Sequence, residues 1–147
     1  VIRKDLKRMK IAVVYWSSTG NTEAMAQAVA EGARKAGASA ELFTATEFDG
    51  GKVDAFDAIA FGCPAMGAEE LEDSEFAPMF ESCESKLSGK KIALFGSYGW
   101  GDGEWMRTWE DTCRNDGASL VCDSVICQEA PDDDALNACR SLGEALA

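Results

Sequence analysis

Short runs of unbroken apolar residues alternate along this chain with longer stretches whose apolar positions recur at helical spacing. Lys10–Trp16 (KIAVVYW) predicts a strand, and Asn21–Ala36 a helix closed at Gly37, a residue suited to the left-handed C-terminal cap. Ser39–Thr44 (SAELFT) alternates like a strand and runs into a turn-rich FDGGK. Asp57–Gly62 (DAIAFG) predicts a buried strand, followed by an acidic loop to Asp73. A helix is expected over Ser74–Leu87, with Phe76, Met79, Phe80 and Cys83 on one stripe. Lys91–Gly96 (KIALFG) is another buried strand and SYGWGDG a Gly-rich loop. Glu104–Asn115 is helical, Ala118–Cys127 a fifth strand, and Pro131–Leu146 a closing helix with Pro near its start.

Five strands alternating with helices in one short chain imply an α/β fold, a parallel sheet covered on both faces. Right-handed crossovers make it a doubly wound three-layer α/β/α sandwich. Ligands in that architecture bind beyond the carboxyl ends of the strands, where the winding reverses. The loops after the first, third and fourth strands are therefore the ones to read for chemistry.

Composition narrows the field. The chain has 147 residues, 46% apolar and 27% charged, which suits one soluble, folded domain. No apolar run approaches the ~20 residues of a membrane span, and no signal-peptide core is visible. The first eight residues (VIRKDLKR) are strongly basic and are expected to be a disordered extension, leaving 9–147 as the single domain. Net charge is −12, and about −15 without that segment. Such a surface repels nucleic acid and anionic membranes and attracts basic protein partners. The absence of His excludes Ser-His-Asp and Cys-His catalysis and any His-ligated metal. Six cysteines without a C-x-x-C pair fit neither a zinc site nor a disulfide framework; buried free thiols in a reducing cytoplasm are expected.

The first loop, SSTGNT (17–22), joins a strand to a helix N-terminus, where outward N–H groups and the helix dipole favour an anion. It lacks the G-x-x-x-x-G-K-[ST] of a triphosphate loop and the G-x-G-x-x-G of a dinucleotide site. Four hydroxyls and an amide without any cation suit one compact phosphate ester. In the second loop Met66-Gly67 sets a soft thioether beside a flexible backbone, ahead of an acidic run from Glu69 to Glu75. The third loop, SYGWGDGEW (97–105), holds two Trp and one Tyr among three Gly. Exposed aromatics call for something to cover, though packing on the domain is the alternative. Together the loops point to a planar ligand bearing a phosphate.

At these residues a family resemblance appears. SSTGNTEAMA, GCPAMGAEELEDSEF and KKIALFGSYGWGDGEWM resemble the short-chain flavodoxins, in order and spacing from Met9 onward. The fifth strand runs on without the long insertion of the other branch. The resemblance implies a five-stranded sheet of order 2-1-3-4-5 and non-covalent FMN. It implies that Ser17, Ser18, Thr19, Gly20, Asn21 and Thr22 hold the 5′-phosphate, with Met66 on one side of the isoalloxazine and Trp100 on the other. Glu69 would bond ring N3, and the Gly67-Ala68 peptide would flip to offer its carbonyl to N5 of the semiquinone. Ala65, Ser97, Tyr98 and Gly99 would complete the contacts. Ala68 stands where Asp is common in similar members.

By the same resemblance the chain is a monomeric electron carrier rather than an enzyme, with no metal. It would shuttle between semiquinone and hydroquinone at low potential and dock through acidic surface on redox proteins with basic faces, such as reductases and oxidoreductases. Omitting a cation at the phosphate would keep the reduced flavin a strong donor. An FMN-dependent reductase is the alternative within flavin chemistry, although no acid–base group beyond surface carboxylates is visible. A phospho-accepting receiver domain needs an acidic pair after the first strand and an Asp after the third, but here stand YWSS and GCPA. A low-mass tyrosine phosphatase needs C-x5-R in the first loop, and 17–22 has neither residue.

Overall fold

The computed structural model describes residues 9–18, 20–66, 70–99 and 101–147. Its elements are β1 (Lys10–Tyr15), α1 (Asn21–Lys35), β2 (Ser39–Thr44), β3 (Ala58–Gly62), α2 (Phe76–Glu84) and β4 (Lys91–Tyr98). They continue with α3 (Glu104–Asn115), β5 (Ser119–Leu120), β6 (Val125–Gln128) and α4 (Asp133–Leu146). All strand pairs are parallel, in the order β2-β1-β3-β4-β5, and β6 also pairs with β4. The expected sheet order therefore holds. Residues 1–8, expected to be an extension, lie outside the described residues.

The central strands are buried on both faces, so their apolar runs divide by parity. Val14, Ile59, Phe61, Ile92 and Leu94 face α2 and α3, where Phe76, Phe80, Trp105 and Trp109 complete an aromatic layer. Ile11, Val13, Ala60, Ala93 and Phe95 face α1 and α4. That second layer is thin because its helices touch through backbone. A Cβ on Gly32 would lie 1.9 Å from the Arg140 carbonyl oxygen, and one on Gly143 2.0 Å from that of Val29.

Two expected elements change. The fifth strand is split: Ile92 pairs with Leu120 and Phe95 with Val125, so five steps on the edge match three on β4. The two extra residues leave the ladder around Cys122–Ser124, where the Ser124 hydroxyl donates to Glu110 Oε2 at 2.6 Å. Because the excess is two, the alternation of faces survives the interruption. The helix expected over Ser74–Leu87 is only Phe76–Glu84. Its first turn is replaced by a turn at 73–75 folded around the Glu72 carboxylate. The turn-rich FDGGK lies between and within two short 3₁₀ turns, Ala45–Glu47 and Gly50–Ala55.

All six cysteines are free, four of them buried. Burial pushes the Cys63, Cys113 and Cys139 thiols up to about 12, so they are packing groups and not nucleophiles.

Candidate functional site

The carboxyl ends of β1, β3, β4 and β6 surround a cleft of about 280 Å³. β1 delivers Ser17 and Ser18, and the first turn of α1 delivers Asn21 and Thr22. The segment after β3 supplies Pro64, Ala65 and Met66; the end of β4 supplies Ser97, Tyr98 and the adjoining Gly99. Glu129, just beyond β6, closes the rim.

The first wall is an uncapped helix N-terminus. Gly20 takes the N-cap position at φ 95°, a left-handed conformation that Gly adopts at little cost, and among the described residues no side chain caps the helix. The Ser17 hydroxyl accepts from Gly20 N–H at 3.1 Å, which curls the loop. Among the described residues no acceptor is found for the N–H groups of Asn21, Thr22 and Glu23. First-turn amides of this kind need an external partner. Thr22 is 1% exposed and Ser97 5%, so their hydroxyls sit at the floor. Among the described residues no Lys or Arg lines the cleft.

The second wall is pinned from both sides. Met66 and Glu70 exchange backbone hydrogen bonds of 2.8 and 2.9 Å, closing a narrow antiparallel bridge. Ala65 N–H donates to the Ser97 carbonyl (3.0 Å) and Cys63 N–H to that of Phe95 (3.2 Å), extending the β3–β4 pairing into the loops. Trp105 Nε1 donates to the Cys63 carbonyl at 3.2 Å. Tyr98 stands over Trp105 with ring centroids 5.5 Å apart. In a fourth loop, which follows β6, Glu129 adopts φ 61°, its N–H donating to the Tyr98 carbonyl at 2.8 Å. Gln128 Nε2 donates to the Gly99 carbonyl at 3.3 Å.

Of the residues expected at the cofactor, the fold gathers Ser17, Ser18, Asn21, Thr22, Ala65, Met66, Ser97, Tyr98 and Gly99 around this cleft, with Gly20 behind them as the cap. Thr19, Gly67, Ala68, Glu69 and Trp100 lie outside the described residues. Within the third loop, Trp105 is 2% exposed and belongs to the core. Pro64 and Glu129 join the cleft without being expected from the sequence. Pro64 directly precedes Ala65 and could have been included, whereas Glu129 gives no signal in the acidic stretch around it.

Glu72 is the other residue missed, since it reads as one more solvated acid yet is 5% exposed. Burial pushes its carboxyl up, but the Ser74 hydroxyl and the N–H groups of Phe76, Glu75 and Ser74 outweigh that and hold it at about 2. Trp16 Nε1 donates to Glu75 Oε1 at 2.8 Å, tying the first loop to the start of α2.

A larger hollow of about 390 Å³ lies between α2 and α3, floored by Trp105, Trp109 and Phe80. Its rim carries Glu70, Asp73, Glu81 and Glu84, which disfavours a phosphate. Among the described residues no cluster of potential ligands could hold a metal, and no helix is long and apolar enough to cross a membrane. The donor set of the smaller cleft, with first-turn amides that have no acceptor among the described residues, hydroxyls, a thioether and a phenol, fits the phosphate and ring of FMN.

Comparisons with known proteins agree with that chemistry. The Flavodoxin family model matches residues 13–143. The chain is 45% identical over 137 residues to the flavodoxin of Megasphaera elsdenii, covering 93% of this chain and 98% of that protein. It is 43% identical over 135 residues to the flavodoxin of Clostridium beijerinckii, covering 92% and 97%. The solution structure of two-electron reduced Megasphaera elsdenii flavodoxin superposes with a TM-score of 0.85 at 46% identity, over 92% of this chain and 97% of that one. With its sheet order, its uncapped phosphate-type loop and these relatives, the chain belongs to the flavodoxin family of FMN-binding electron carriers.

Proposed function

We propose that residues 9–147 form one domain that holds FMN non-covalently in the cleft beyond β1, β3 and β4. There it works as a low-potential one-electron carrier between the semiquinone and hydroquinone states. FMN supplies the electron chemistry; the chain supplies the grip, the walls and the field. Ser17, Ser18, Asn21 and Thr22 with the α1 amides hold the phosphate, while Met66, Tyr98 and their neighbours flank the ring. The observation that carries this is the α1 N-terminus, whose first-turn amides find no acceptor among the described residues and face a cleft that no described Lys or Arg lines.

The missing cation supports the low potential. A phosphate left uncompensated by side-chain charge, together with the Glu129 carboxylate on the rim, disfavours added negative charge on the ring. One unit charge at roughly 10 Å and effective ε of ~20 contributes about 1.7 kcal/mol. For a one-electron couple that is about 70 mV.

Docking on redox proteins with basic faces is supported by where the charges lie. Asp73, Asp102, Glu104, Asp132, Asp133 and Asp134 are exposed on loops and helix starts beyond the carboxyl ends of the strands. Lys10 and Lys91 begin β1 and β4 at the opposite end of the sheet. A basic partner is thereby steered toward the cofactor edge. We place the protein in the cytoplasm as a monomer.

The deciding experiment titrates the apoprotein with FMN and with riboflavin, then measures both one-electron potentials. Micromolar or tighter FMN binding, much weaker riboflavin binding and two resolved one-electron steps are expected. Equal affinity for the two flavins would remove the phosphate cradle, and a single two-electron step would remove the carrier role.

A further inference from the structure

The acidic stretch after Met66 contains one carboxylate that behaves unlike its neighbours. Asp73 and Glu75 are exposed, whereas Glu72 is 5% exposed and surrounded by donors. Its Oε1 accepts from the N–H groups of Glu75 and Phe76, both at 2.8 Å. Its Oε2 accepts from Ser74 N–H at 2.8 Å and from the Ser74 hydroxyl. The N-cap residue of α2, Glu75, makes no side-chain cap of its own. Glu72 thus closes that helix from three residues upstream, and its carbonyl takes Ala77 N–H at 2.9 Å.

The same residue reaches back to the strand end. Glu72 N–H donates to Cys63 Sγ at 3.4 Å, and Cys63 Sγ–H donates to the Pro64 carbonyl at 3.5 Å. Cys63 is fully buried and held by Trp105 through its carbonyl. Two residues before Glu72 lies Glu70, whose backbone is paired with Met66 at the cleft. One side of the Met66–Glu70 bridge is therefore fixed by β3. The other is fixed by the helix N-terminus to which Glu72 is bonded.

We infer that Glu72 is a positioning residue for the flavin, a buried carboxylate that clamps the Met66–Glu70 bridge to α2 and so holds the second cleft wall in register. The inference rests on the cleft holding FMN. A clamp of this kind matters most to whichever reduction state depends on the wall's geometry, so the separation of the two one-electron steps reads it directly. General loss of stability would not single out that separation.

The test compares Glu72→Gln, Ser74→Ala and Asp73→Asn in the full chain. Each is studied with FMN by potentiometry and without FMN by amide exchange. Glu72→Gln keeps the shape but replaces an acceptor oxygen by a donor facing backbone N–H groups. It should narrow the separation of the steps by at least tenfold in the constant for forming the one-electron-reduced state, about 59 mV. Exchange at the Met66 and Glu70 amides should accelerate at least tenfold, with Leu94 in β4 unchanged. Ser74→Ala removes one donor and should move both readouts less, in the same direction. Asp73→Asn makes the same charge change on an exposed neighbour and should move neither.

Wild-type separation and exchange in Glu72→Gln would overturn the clamp, as would an equal narrowing in Asp73→Asn. Should Glu72→Gln fail to fold, Ser74→Ala decides: no change in either readout overturns the proposal. A wild-type chain that ignores FMN refutes the proposed function, while the exchange arm still reports the clamp by itself.

Discussion

Two helix N-termini point toward the same edge of the sheet and treat negative charge in opposite ways. The α1 terminus has Gly20 at its cap, no carboxylate on its first-turn amides among the described residues, and hydroxyls of Ser17, Ser18 and Thr22 beside it. The α2 terminus is filled by Glu72, which takes the N–H groups of Ser74, Glu75 and Phe76. Both offer the same partial positive charge and unpaired donors. The pattern extends to α3, capped by Gly103 without a side-chain bond, and to α4, where Asp132 accepts from Ala135 N–H at 2.8 Å. A helix that supplies its own carboxylate cannot recruit an external anion. One that withholds it can, and the chain withholds it after the first loop, where its sequence is richest in hydroxyls.

The sharpest way to break the contrast is to make α1 resemble α2. Ser17→Asp puts a carboxylate where a hydroxyl now accepts from Gly20 N–H. At roughly 5 Å and ε of ~20 this repels each unit of phosphate charge by about 3 kcal/mol. FMN affinity should fall by roughly 100-fold or more, while riboflavin, lacking the phosphate, should bind as before. Fluorescence titration of the apoprotein with the two flavins checks this; equal losses for both would mean that the loop had merely unfolded.

Acid titration compares α2 with the far end of the same helix. Glu72 lies at about 2 in the folded chain against an ordinary value of 4.5, so its contribution is complete above about 4.5 and disappears as pH falls toward 2. A depressed folded value is stability that protonation removes. Glu84 is raised to about 7 by burial, then by the hydrogen bond and charge of Asp116 and the charge of Glu81. A raised carboxyl binds its proton more tightly when folded, so stability gains as pH drops from about 7 to 4.5. Denaturant melts of the apoprotein should therefore show greatest stability near pH 5 and a steep acid limb below it. Glu72→Gln should flatten the acid limb, and Glu84→Gln the neutral one.

These two termini also mark how much could be read from the residues alone. The strands are legible because their apolar runs are punctuated by Gly, and the first loop because four hydroxyls gather between a strand and a helix N-terminus. The sequence predicts helix α2 two residues too early, since Ser74 is a common N-cap and nothing local says that Glu72 folds back. The split of the edge strand was hidden for a similar reason: two extra residues preserve the alternation that a period-based reading follows. Trp105 reads as part of its loop because the partner of its buried Nε1–H, the Cys63 carbonyl, lies 42 residues away.

A milder change sharpens the comparison by adding the missing cation without blocking the cradle. Ser18 is exposed at the cleft rim, so Ser18→Lys can reach the phosphate edge while leaving the Ser17 curl in place. The potential of the second one-electron step should rise by about 70 mV, following the ~1.7 kcal/mol expected for one charge at roughly 10 Å. The first step should move less, because it adds less negative charge to the ring once a proton accompanies the electron. Unchanged potentials on redox titration would mean that the neutral cradle sets affinity alone and has no part in the potential.

The smallest effect is expected in the fourth loop, which lies between the two classes. It contributes Glu129 to the cleft, as an open loop would, yet leads into the self-capped α4. Glu129 is the one non-Gly residue at positive φ among the described residues, and that conformation costs an ordinary side chain roughly 1 kcal/mol. Asn tolerates it better, so Glu129→Asn should stabilise the apoprotein by up to about 1 kcal/mol, which at this size raises the melting temperature by roughly 2–4 °C. The same substitution removes a carboxylate from the rim, so FMN affinity should hold or improve slightly. A lower melting temperature together with weaker FMN binding would reverse the assignment: the strained Glu129 would then be a group that grips the cofactor, and the fourth loop would belong with the first.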